Sequence, residues 1–196
     1  MSGTKRIVLI GAGRMGAALA TGWLAGKSPP DLSIVDPQPN ETVQDWNATG
    51  KITLSPEPEA ADIVVLAVKP QVFAKAAEGM KAFIGPQTLV ISIMAGIRIG
   101  QMSDRLETSR IIRAMPNTPG AIGRGVTVFS AASGLSRADI ATAERLLRPL
   151  GLVEGLADGL ALGLVEGLAE GDAVGLCDGL SVGDADGLAD GKALGL

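Results

Sequence analysis

Residues 5–16 read KRIVLIGAGRMG, and this stretch decides the fold. Its first half, residues 5–10, is a short run of β-branched and aliphatic side chains, the pattern of a strand buried on both faces. Its second half places glycine at positions 11, 13 and 16, then opens into Met15, Ala18, Leu19 and Trp23, spaced by three and four as on one helical face. A glycine pattern of this spacing is weak alone. Set between a strand and a helix, it has the context that dinucleotide binding physically requires. Gly11 permits a tight turn, Gly13 admits a pyrophosphate against the backbone, and Gly16 lets helix and strand pack closely. The free N–H groups at the helix start, with the helix dipole, supply the anion site. The alternative is a glycine-rich turn without a ligand.

Outward from this stretch, strand and helix patterns alternate. Residues 32–35 read as a second strand stopped by Asp36-Pro37, and 42–48 as a short helix. Residues 61–68 (ADIVVLAV) form a near-continuous apolar strand, as in a parallel sheet covered on both faces. Pro70 can open a helix whose apolar side carries Val72, Ala76, Met80 and Phe83. Strands follow over 88–92, 110–114 and 125–129, with a helix over 99–106 between the first two. Ser136 is placed as an N-cap with Asp139 three residues on, opening a helix with Ile140, Ala143 and Leu147 inward that stops near Pro149. The expected fold is α/β, a doubly wound, mostly parallel Rossmann-type sheet over residues 1–150.

From Gly151 the composition changes. Glycine recurs every fourth position to Gly195, 12 times in 46 residues, usually followed by leucine. Residues 1–150 carry 16 basic and 12 acidic side chains, whereas 151–196 carry 1 and 9. On a helix those glycines would cost about 10–12 kcal/mol relative to alanine. In a bilayer the acidic groups would each cost roughly 2–3 kcal/mol. The segment therefore reads as a Gly-rich, low-complexity acidic tail, a second region of tetrapeptide period.

Inventory removes several chemistries. The chain has no His and no Tyr, so a His acid or a Tyr–Lys pair cannot carry proton transfer, and its one Cys177 permits no internal disulfide. Metal sites built on His or clustered Cys are excluded, and no metal is expected. The longest apolar run, residues 63–68, is far too short to cross a bilayer. Lys5 and Arg6 before an apolar stretch superficially resemble a signal peptide, but that stretch runs straight into the glycine pattern. A cytoplasmic protein is expected, with a small-molecule substrate and neither nucleic acid nor membrane as partner.

Asp36 lies 20 residues beyond Gly16, at the end of the second strand. An acid there can accept hydrogen bonds from the adenosine ribose, which favours NAD over NADP; the alternative is a plain Asp-Pro turn. No Arg or Lys lies between Asp36 and Gly50 to pair with a 2′-phosphate, although Arg14 could contribute. Three more segments fall at strand ends: Ala67-Val68-Lys69-Pro70-Gln71, Ser92-Ile93-Met94-Ala95-Gly96-Ile97, and 113–120 (RAMPNTPG). Lys69 could pair with a phosphate or a carboxylate, or be a solvated lysine. Ala95-Gly96 could let backbone lie against a nicotinamide, or form a turn. The Pro-Asn-Thr-Pro run could present Asn117 to a ligand, or connect two strands rigidly.

GAGRMG, LAVKPQ, SIMAGI and RAMPNTPGAIGRG, in this order and at these separations, resemble the pyrroline-5-carboxylate reductases over roughly residues 5–150. KPQ and MPNTP separate this resemblance from the β-hydroxyacid dehydrogenases, which share a similar opening. The resemblance implies NAD(P)H-dependent reduction of a cyclic imino acid, 1-pyrroline-5-carboxylate, to proline. It also implies cofactor contacts from Ile10, Gly11, Ala12, Gly13, Arg14, Met15, Ala67, Val68, Lys69, Pro70, Met94, Ala95 and Gly96, with Asn117 near the substrate. The family continues into a helical domain that builds its dimer and carries a Ser-Gly-Ser-Gly-Pro-Ala-Tyr segment. After Gly151 this sequence has nothing similar, its only hydroxyl residue there being Ser181, so catalytic residues are not assigned. Three functions stay open: the reductase, a non-catalytic dinucleotide-binding module, and a frameshifted or truncated product.

Overall fold

The computed structural model describes residues 5–155. Its strands are β1 (Arg6–Ile10), β2 (Asp31–Val35), β3 (Thr53–Leu54), β4 (Ala61–Leu66), β5 (Ile84–Ser92), β6 (Ile111–Pro116), β7 (Gly125–Ala131) and β8 (Gly151–Gly155). Helices α1 (Arg14–Leu24), α2 (Glu41–Ala48), α3 (Pro70–Lys81), α4 (Ile99–Leu106) and α5 (Arg137–Leu147) lie between them. The strand order is β3-β2-β1-β4-β5-β6-β7-β8. Neighbours run parallel from β3 through β6, β7 is antiparallel to β6, and β8 is parallel to β7. The fold is therefore α/β with a mostly parallel, Rossmann-like sheet.

Strand alternation divides the core into two layers. Ile7 and Leu9 of β1 pack on one face with Leu19 and Trp23 of α1 and Ala143 and Leu147 of α5. Val8 and Ile10 pack on the other with Phe73 and Met80 of α3 and Met102 and Leu106 of α4. Because both faces are covered, β1 needs an unbroken apolar run, and residues 7–10 are all buried. The indole N–H of Trp23 donates to Leu146 O at 2.8 Å, fixing α1 to the end of α5.

Three features depart from the sequence expectation. β5 begins at Ile84, four residues before Thr88, and its register shifts against β4 between Ala61 and Ile63. Pro86 occupies this bulge, where its missing N–H costs no ladder bond. The Thr88 hydroxyl closes it, donating to Ala61 O at 2.6 Å and accepting from Gly85 N–H at 2.8 Å. β3 is only two residues long, too short for any periodicity.

The third departure is β8, which lies inside the period-four segment. A period of four is also two strand repeats, so Gly151, Val153 and Gly155 share one face of the strand. A Cβ on Gly151 would lie 2.1 Å from Gly125 O, and one on Gly155 would lie 2.8 Å from Phe129 Cζ. The first two glycines of the repeat are thus what lets β8 approach β7. The rest of the segment read as a tail, 156–196, lies outside the described residues.

The cap of α5 forms as the sequence predicts. Ser136 Oγ accepts from Asp139 N–H at 3.2 Å, and Asp139 Oδ2 accepts from Ser136 N–H at 3.0 Å. Asp139 Oδ1 also accepts from the Arg110 guanidinium at 2.7 Å, tying α5 to the start of β6. Partial burial pushes the Asp139 carboxyl up, but the Ser136 hydrogen bonds and Arg110 outweigh it and hold the pKa below 3.8. A carboxyl with a lowered folded-state pKa contributes stability that is complete above its unfolded value and lost as pH falls through the lowered one. Asp139→Ala should cost about 1–2 kcal/mol in urea unfolding at neutral pH. The deficit relative to the parent should shrink as pH is taken below 3.8; a constant deficit would contradict this assignment.

Candidate cofactor-binding site

The parallel strands finish level with one another. Ile10 pairs with Val35 and with Leu66, and Leu66 pairs with Ser92. The segments that follow these residues therefore leave the sheet along a single carboxyl edge. The chain lays strands outward in one direction from β1 to β3 and in the other from β4 onward. The crevice between β1 and β4 is thus the topological switch point, where open α/β sheets bind ligands. Three backbone hydrogen bonds knit the edge: Gly11 N–H to Val35 O at 2.9 Å, Ala67 N–H to Ile10 O at 2.8 Å, and Ile93 N–H to Leu66 O at 3.0 Å.

The three glycines of the loop meet different surroundings. Gly11 has φ +94°, and a Cβ there would lie 2.8 Å from Ala67 O. A Cβ on Gly16 would lie 2.2 Å from Gly11 O, so the first turn of α1 sits directly on the loop. Gly13 is exposed and would meet nothing within 4 Å. It is the N-cap of α1, which has no side-chain cap and no acidic residue in its first turn. The opening amides of a helix have no intrahelical partner and carry the positive end of its dipole. Open space in front of uncapped amides is what a diphosphate needs, so these residues fit a dinucleotide.

Asp36 is half-buried and spans two segments of the edge. Its Oδ2 accepts from Ala12 N–H at 2.6 Å, and its Oδ1 accepts from Gln38 N–H at 2.8 Å. The carboxylate thereby holds the middle of the glycine loop, a contact that the spacing between Gly16 and Asp36 gives no means of reading. Ile10 is buried at the end of β1, and Arg14 is exposed at the start of α1. Met15 is half-buried, its Sδ 3.7 Å from where a Gly120 Cβ would stand.

Ala67 and Val68 are half-buried beside Gly11, and exposed Lys69 is the N-cap of α3, with Pro70 its first residue. This second helix also starts at the edge with no side-chain cap and no acid in its first turn. Beyond β5, Ala95 and Gly96 are exposed, and Gly96 has φ +72°. Met94 differs: the whole residue is 1% exposed, within the layer under α3 and α4, so the structure does not place it at the surface of the crevice. Its N–H donates to the buried Ser92 hydroxyl at 3.2 Å.

Asn117 lies farther along. Arg113, not the end of β6, is the residue level with Ser92, so β6 carries Asn117 past the other strand ends. Its Oδ1 accepts from Val126 N–H at 2.9 Å, and its own N–H donates to Val126 O at 3.2 Å. The side chain thus clasps the 3-10 turn Thr118–Ile122 between β6 and β7, a structural duty the motif alone does not disclose. Among the described residues no group of three or more His, Cys, Asp or Glu is placed to hold a metal. Among the same residues no helix is long and apolar enough to cross a membrane.

Residues 6–96 match the family model described as NADP oxidoreductase, coenzyme F420-dependent. The chain is 36% identical over 158 residues to the pyrroline-5-carboxylate reductase of Vibrio alginolyticus, covering 76% of this chain and 57% of that protein. A solved pyrroline-5-carboxylate reductase from Coxiella burnetii superimposes with a TM-score of 0.74 at 25% identity, over 98% of this chain and 72% of that one. The Plasmodium falciparum pyrroline carboxylate reductase, solved with NADP bound, shares the fold with a TM-score of 0.66 at 22% identity, covering 85% and 62%. The chain spans a little over half the length of the curated relatives it matches. The glycine loop and the switch-point crevice fall within the residues 6–96 that the family model matches, and the chain is similar to pyrroline-5-carboxylate reductases over 76% of its length.

Proposed function

We propose that this chain binds a reduced nicotinamide dinucleotide along its carboxyl edge and provides the cofactor half of a reductase that converts 1-pyrroline-5-carboxylate to L-proline. The observation that carries this reading is the uncapped start of α1, facing open space at Gly13 beside the switch point. The amides of Gly13, Arg14 and Met15 would hold the diphosphate, and Asp36 the adenosine ribose. Ala95 and Gly96 offer backbone without bulk to the nicotinamide, while Ala67, Val68, Lys69 and Pro70 line the crevice between the two helix starts. The bound cofactor supplies a hydride for a carbon–nitrogen double bond. An iminium arrives already protonated, which suits a chain with no His and no Tyr. What the residues here contribute is orientation and exclusion of alternative poses.

Asp36 also sets a preference within this reading. Its charge is fixed against the loop by Ala12 and Gln38, and no Arg or Lys occurs between Asp36 and Gly50 to offset a 2′-phosphate. NADH is therefore the preferred form. A second reading, a dinucleotide-binding module without turnover, draws on the sequence after Gly151, whose only hydroxyl residue is Ser181.

Titration calorimetry of the full chain should show NADH binding more tightly than NADPH, with the gap narrowed about tenfold or more in Asp36→Ser. Gly13→Asp should weaken both at least a hundredfold, because a carboxylate would then stand where the diphosphate belongs. The same samples should oxidise the reduced cofactor when 1-pyrroline-5-carboxylate is added. Binding without turnover would favour the second reading; binding of neither coenzyme would defeat both.

A further inference from the structure

Some cations of this domain are matched to carboxylates. Arg6 pairs with Glu59, Lys81 with Glu78 and Glu107, and Arg110 with Asp139. Lys5 precedes β1, while Arg145 and Arg148 stand at the end of α5. All three line a single cleft of about 790 Å³, and no Asp or Glu lines it with them. Among the described residues none of the three has a carboxylate partner.

The cleft is rigid. Its wall is Trp23, 6% exposed and pinned through its indole N–H to Leu146 O. Against Trp23's helix sits Pro149, so close that a Cβ on Gly22 would lie 2.3 Å from the proline Cβ. Gly22 is thus spent on docking α1 to the turn after α5, which fixes the distance between the cations and the aromatic wall. The carbonyl groups that end α5 favour positive charge at Arg145 and Arg148, which explains how two arginines three residues apart are tolerated there. They do not neutralise the excess positive charge of a third cation brought in from the other end of the chain. A volume of this size is in the range of roughly 300–1,000 Å³ typical of small-molecule sites.

We propose that this cleft is a second ligand site, separate from the carboxyl edge, that binds a small polyanion bearing phosphate or carboxylate groups. Its charges would sit among Lys5, Arg145 and Arg148, and its less polar part against Trp23 and Pro149. Nothing in the dinucleotide reading requires it, because no residue lining this cleft belongs to the glycine loop or to the segments proposed to hold the dinucleotide.

The test uses the full chain with inorganic pyrophosphate and citrate as probes, titrated by calorimetry at low salt with NADH absent and then saturating. The expected result is binding of at least one probe that persists with NADH present. That binding should fall about tenfold or more in Lys5→Gln/Arg145→Gln/Arg148→Gln, while NADH affinity is unchanged. Arg148→Gln alone, at an exposed position, should weaken it several-fold and serves if the triple variant melts early. The proposal is overturned if neither probe binds at millimolar concentration, if binding is unaltered by these substitutions, or if NADH displaces the probe, which would place it in the glycine loop.

Discussion

Everything at the carboxyl edge depends on one close approach, that of the first turn of α1 to the loop leaving β1. Gly16 sits where any side chain would collide with Gly11 O, and Gly11 where one would collide with Ala67 O. Together they bring β1, β4 and α1 to a common point, the crevice at which strand order reverses. With a Cβ at either position the helix would have to move away from the sheet, and its amides would no longer face the crevice. Gly13, between them, is free of this steric duty, and the space in front of it is what remains for a ligand.

The Asp36 carboxylate completes the same arrangement from the neighbouring strand. By accepting from Ala12 N–H it removes one amide from competition and holds the loop in the form that leaves the α1 amides open. Its negative charge is thereby fixed beside the crevice rather than free to swing away. In the proposed reading, loop conformation and coenzyme choice would both rest on this one side chain.

Much of this was legible in the sequence because it follows from local patterns. The unbroken run in β1 must be buried on both faces; Pro70 opens α3; Ser136 and Asp139 cap α5. What was not legible depends on contacts between distant segments. The Ala12–Asp36 bond, the Asn117 clasp on Val126 and the buried Met94 side chain all arise from how strands align at the edge. Gly151 and Gly155 mislead for a further reason. A four-residue period invites a helical reading, but the same spacing puts both glycines on one strand face, where Gly125 and Phe129 require them to be small. The basic cleft joins residue 5 to residues 145 and 148, and no reading along the chain could assemble it.

The proposed function requires the amides that open α1 to grip a diphosphate. Crystals of the full chain grown with saturating NADH test it most directly. Diphosphate density is expected in front of Gly13, within hydrogen-bonding distance of the Arg14 and Met15 amides, with the ribose on Asp36. Density for the dinucleotide anywhere else, or a well-ordered loop with none at all, would contradict it.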